Sequence, residues 1–99
     1  MRTPSSWQQL SDGLLALAEG IESRQASETI PLLLEHVQTV SEQVGRDAPA
    51  SSKDLSGHIT TATKAWYDVW PRLSKDRDFR LAIAREARGW AKRVTEYAS

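Results

Sequence analysis

The stretch "RDFRLAIAREARGWAKRV", residues 77 to 94, gathers six Arg or Lys and a tryptophan in a chain whose net charge is zero. Wound as a helix at about 100° per residue, it sorts into two faces. Phe79, Ile83, Ala87, Trp90 and Val94, continued by Tyr97, fall within an arc of about 80°, and Arg77, Arg85, Arg88 and Lys92 fall within a similar arc opposite. A helix with one apolar stripe is marginal alone and needs other helices to bury that stripe. The fold therefore turns on whether the rest of the chain supplies them.

It supplies three. Trp7, Leu10, Leu14, Leu17 and Ile21 step by three and four residues, as do Ile30, Leu33, Val37, Val40 and Val44, and then Leu55, Ile59, Ala62, Trp66, Val69 and Leu73. The boundaries follow from backbone chemistry. Pro4 suits a first turn whose N–H groups need no partner, and so does Pro31 behind the N-cap Ser27. Gly45 offers a left-handed stop, Ser51 and Asp54 stand at capping-box spacing, Pro71 should end or kink its helix near Trp70, and Ser74 or Asp76 can cap the last helix. The expected helices run over about 4–23, 28–44, 52–70 and 76–97.

The links "RQAS", "RDAPASSK" and "PRLSKD" are short, so successive helices must lie antiparallel. No alternating Val, Ile and Thr run bounded by Asn-Gly or Asp-Gly suggests a strand, and no repeat is present. The expectation is an all-α fold, a single up-down-up-down antiparallel four-helix bundle in which residues 1–99 form one domain. Its rival is a pair of helical hairpins whose core closes only in a dimer.

Composition sets the class. With 39% apolar and 26% charged residues, the chain is too apolar and too evenly signed for a disordered one. Cysteine is absent, which removes disulfides, thiolate metal sites and a Cys nucleophile. No apolar run approaches the roughly 18 residues of a membrane span, and "MRTPSSWQQL" lacks the apolar stretch of a signal peptide, so a cytoplasmic, soluble protein without membrane contact is expected. Charge is uneven along the chain. Residues 1–54 carry four basic and eight acidic groups, whereas 72–99 carry eight basic and four acidic, an asymmetry that points to a charged partner or to attraction between the halves.

The sequence gives little support to catalysis. A histidine-phosphotransfer bundle needs an exposed imidazole followed by a lysine and a close-packing glycine, and neither His36 in "EHVQTV" nor His58 in "GHITTATK" has that context. A di-iron bundle needs two Glu-x-x-His motifs, whereas Glu35 and His36 point about 100° apart. No nucleophile elbow, phosphate loop or calcium loop occurs, so neither an enzyme, a cofactor, a metal nor a small-molecule substrate is expected.

Binding is the better reading. Nucleic acid ranks behind protein, because single-strand binding needs aromatic and basic groups on one surface and the fourth helix puts Trp90 and its cations on opposite faces. Backbone contact with duplex through the basic arc stays the runner-up, and phosphotransfer comes third. Leu81 lies inside the basic arc among Arg77, Arg85, Arg88 and Lys92, where nothing in a single bundle should cover it. Leu15 has the opposite setting, among Gln8, Asp12, Glu19 and Glu22. An apolar centre with a charged rim is the form of a protein interface. These residues are the candidate contacts with a protein partner or, by self-association, between the first helix of one copy and the fourth of another. Trp66 and Trp70 read as core, with Trp70, loosened by Pro71, as the candidate aromatic anchor.

Overall fold

A computed structural model of the chain consists of four helices, α1 (Ser6–Glu22), α2 (Thr29–Asp47), α3 (Lys53–Leu73) and α4 (Arg77–Ala98). It describes residues 6–23, 29–47 and 53–98. Pro4, Ser27, Ser51 and the side chain of Tyr97 lie outside what is described. The radius of gyration, 13.1 Å, matches the value of about 13 Å for a compact unit of 100 residues. Pairings along the seams run in opposite directions: Ser11 with Ala91, Ser41 with Ser56, and Trp70 with Phe79. This is an antiparallel four-helix bundle. Leu14, Leu34, Ile59 and Val94, one from each helix, are fully buried, so the core closes within one chain and the two-hairpin dimer is not required.

Two expected boundaries are corrected. α2 runs past Gly45 to Asp47. Gly45 serves the packing instead, since a Cβ there would sit 3.0 Å from Ser56 Oγ on α3, closer than a side chain comfortably allows. α3 runs through Pro71 to Leu73. Proline leaves the carbonyl four residues earlier without its N–H partner, and here that residue is the exposed Tyr67, where water can take the bond. Asp76 caps α4 as expected, its Oδ1 accepting the Phe79 N–H at 3.1 Å.

The stripes are also rotated from their expected centres. On α2, Leu34 is buried and Leu33 is partly buried. On α3, Thr63 turns inward and Leu73 is exposed, while Trp66 and Trp70 are core as expected. Four small polar residues, Ser11, Ser41, Ser56 and Thr63, are buried among the apolar ones. Burial costs a hydroxyl little when a carbonyl within reach accepts its proton, and Thr63 Oγ1 donates to the Ile59 carbonyl at 2.9 Å.

Those small residues decide which helices approach closely. Ser41 Oγ donates to the Ser56 carbonyl at 2.8 Å across α2 and α3, and Ser11 Oγ reaches the Ala91 carbonyl at 3.4 Å and Thr95 Oγ1 at 3.0 Å across α1 and α4. Side chain to backbone bonds between helices need short interaxial distances, which the small Ala91 on α4 permits. Among the four seams between neighbouring helices, that of α3 with α4 is the loosest. Large rings lie between them: Trp70 and Phe79 have centroids 6.4 Å apart, and His58 and Trp90 6.3 Å apart.

Candidate functional site

The close seam between α1 and α4 fixes what lies outside it. With Ser11 of α1 turned toward Ala91 and Thr95 of α4, the residues on the outer side of this seam are Leu15, Glu19, Glu22, Asp12 and Gln8 on one helix and Arg77, Leu81, Arg85, Arg88 and Lys92 on the other. All ten are exposed. The acidic and the basic stripes, expected on separate outer faces, therefore run side by side on a single face.

One direct contact marks the border between them. Glu22 and Arg88 form a bidentate ion pair, Arg88 Nε and Nη2 donating to the two carboxylate oxygens. The guanidinium, bonded to that carboxylate, holds the Glu22 carboxyl below its ordinary value, and the hydrogen bond together with the Glu22 and Glu19 charges keeps Arg88 protonated still more firmly. Gln8 donates to Asp12 Oδ1 at 3.0 Å. Arg85 and Lys92 make no ion pair among the described residues.

Leu81 is 48% exposed and Leu15 37%. Trp70 is different. It is 2% exposed, packed against Phe79 with the Arg80 guanidinium 5.6 Å from its ring centroid, so it is core and the expectation of a partly exposed anchor is corrected. The cause is the unbroken helix: Pro71 does not loosen its neighbour.

Two features escaped the sequence reading. Arg80 is a structural clamp, donating to the Ser74 carbonyl at 2.9 Å and to the Ile21 carbonyl at 3.0 Å, one of the last carbonyls of α1 that have no helical partner. Its i+4 relation to Asp76 and Ala84 on the wheel was the available signal, since it lies between the stripe and the basic arc. The second is Leu32, 64% exposed on the outer side of α2 and so remote from the α1/α4 face.

Elsewhere the surface offers less. A depression of about 430 Å³ between α2 and α3 is lined by Glu35, Gln38, Thr39, Lys64, Tyr67 and Asp68, and the Tyr67 hydroxyl donates to Glu35 Oε1 there at 3.0 Å. Another of about 260 Å³ on α4 is lined by Glu86, Gly89, Trp90 and Arg93. Trp90 is only partly buried, Arg93 stacks over it at 5.3 Å, and the Trp90 indole N–H, closed off from solvent, has no acceptor among the described residues. His36 and His58 are exposed. Among the described residues no group of three or more His, Cys, Asp or Glu could hold a metal ion, and no helix is long and apolar enough to cross a membrane. No family model, curated protein or solved structure matches the chain.

Proposed function

We propose that this protein is a cytoplasmic, non-enzymatic interaction module, an adaptor, inhibitor, chaperone or accessory subunit, that binds protein through the α1/α4 face. One observation carries the reading. Two leucines stand exposed on a face otherwise made of charged and polar side chains, Leu81 among cations and Leu15 among anions, and the two settings adjoin. A lone exposed leucine is ordinary, but apolar centres inside a rim of charge are what protein interfaces use for contact and for partner choice. Nucleic acid is the weaker reading, because a phosphate backbone approaching Arg85, Arg88 and Lys92 would also meet Asp12, Glu19 and Glu22 beside them.

A photo-crosslinking residue at position 81, with the exposed position 61 on α3 as control, tests the reading in the native cell. A discrete protein adduct is expected from position 81 and none from 61, and R85E together with K92E should abolish it. Equal labelling from both positions, or adducts to nucleic acid alone, would refute it.

A further inference from the structure

We propose that the α1/α4 face pairs with the same face of a second copy, about a twofold axis parallel to the helices. The inference rests on this face being the interaction surface. α1 contributes Asp12, Glu19 and Glu22 to one half of the face, and α4 contributes Arg77, Arg85, Arg88 and Lys92 to the other. Two copies can stack such a face on its equivalent in two symmetric ways. A twofold axis across the helices lays α1 on α1 and α4 on α4, acid on acid and base on base, which like-charge repulsion forbids. An axis along the helices lays α1 on the partner's α4, the acidic stripe on the basic one.

That axis also fixes the register. A pure rotation about a line parallel to the helices moves nothing along them, so residues level with each other inside one chain are level between the two copies. Ser11 is level with Ala91 and Thr95, and Ile21 with Arg80. Asp12 is therefore level with Lys92 and Glu19 with Arg85. Across the axis each of these acids faces the base level with it on the second copy, and by symmetry both pairs form twice. Of the face's four cations, Arg77, Arg85 and Lys92 make no ion pair among the described residues, and this packing uses the last two. Leu15 comes to lie on the Arg88 stem of the second copy, whose aliphatic part can cover it.

The size of the face sets the strength. A helix of 17 residues is about 26 Å long, and two helices side by side are about 20 Å wide, which gives roughly 500 Å² per copy against about 800 Å² for a standard interface. With two leucines and a majority of charge, the dimer is weak and sensitive to salt.

Sedimentation with two charge-reversed variants tests it. One carries D12K and E19K, the other R85E and K92E. All four positions are exposed, and circular dichroism checks that each variant stays helical. The wild type is expected to dimerise at low salt, with its dissociation constant rising about tenfold or more between 50 and 500 mM. Each variant alone should be monomeric under conditions where the wild type pairs, and an equimolar mixture should form the heterodimer, because reversed α1 then faces reversed α4. If a reversal unfolds the chain, D12N with E19Q and R85Q with K92Q replace it and must each weaken the dimer. A wild type that stays monomeric at about 1 mM and low salt overturns the proposal, as does a mixture no more associated than its parts. Either result leaves the reading of a different protein partner standing, because crosslinking from position 81 reports on it separately.

Discussion

α4 packs against both of its neighbours, but in opposite manners. Toward α1 it presents Ala91, and the helices come close enough for Ser11 to reach that residue's backbone carbonyl. Toward α3 it presents Phe79 and Trp90, whose rings meet Trp70 and His58 and keep the backbones apart. A close seam of small residues and hydroxyls specifies one geometry, since backbone, side chain and partner must all fit at once. A wide seam filled by rings depends on a few large side chains and tolerates more adjustment around them. The face offered for binding borders the close seam. A rigid pair of helices keeps the acidic and basic stripes in fixed register, which a loose pair would not.

Substitution at the two seams separates these behaviours. Trp70→Ala, in the wide seam, is expected to lower stability by about 3–5 kcal/mol, toward the smaller figure if α3 and α4 can close on the gap. Domains of this size have roughly 5–15 kcal/mol in total, so the variant should approach the limit of folding in urea titration. Ala91→Leu, in the close seam, should cost about 1–3 kcal/mol although it adds apolar surface, because the added carbons have no space between α1 and α4. The exposed Ala82→Leu on the same helix is the control and should stay within about 0.5 kcal/mol of the wild type. Equal stability of the Ala91 and Ala82 variants would show that the seam is not close.

The periodicity of large apolar residues revealed four helices and their order, and it could do so because burial of Leu, Ile, Val and Trp dominates the choice of helix face. It missed the seams for a physical reason. Ser11, Ser41, Ser56 and Thr63 look like surface residues by polarity, yet each is buried, and Thr63 shows how, by returning its proton to a carbonyl of its own helix. The three-and-four spacing of Ala84, Ala87 and Ala91 was the visible sign of a small-residue stripe, and it takes the structure to show that Ala91 lies against Ser11 of α1. The site shares this limit. Leu15, Leu81 and their charged neighbours were legible one helix at a time, but the adjacency of the two stripes depends on α1 and α4 being neighbours, which no single helix encodes.

Glycines sharpen the same contrast at smaller cost. A Cβ at Gly57 on α3 or at Gly89 on α4 would meet nothing within 4 Å, so Gly57→Ala and Gly89→Ala should each raise stability by about 0.5–1 kcal/mol through helix propensity. At Gly45 the same change puts a methyl group 3.0 Å from Ser56 Oγ, and at Gly13 it puts one 3.3 Å from Val37 Cγ2. There the propensity gain must move a packed neighbour, and Gly45→Ala is expected to be neutral or destabilising in thermal melts. A gain at Gly45 equal to that at Gly89 would mean that α2 and α3 can separate freely.

The weakest effects come from the exposed polar contacts on the two close pairs, and these respond to pH in opposite directions. Arg88 holds the Glu22 carboxyl below its ordinary 4.5, so their contact strengthens the α1/α4 pair at and above that pH and is lost as pH falls through the lowered value. The Tyr67 phenol donates to Glu35, and that hydrogen bond with the carboxylate charge lifts its ionisation above the ordinary 10.0. Its contribution to the α2/α3 pair is present below 10.0 and is lost as pH rises through the raised value. In an ultraviolet titration one tyrosine should therefore ionise late. Glu35→Gln removes the charge and should bring that step down, while Tyr67→Phe should remove it altogether. A late step that survives Tyr67→Phe would belong to Tyr97, and the α2/α3 contact would then have no part in it.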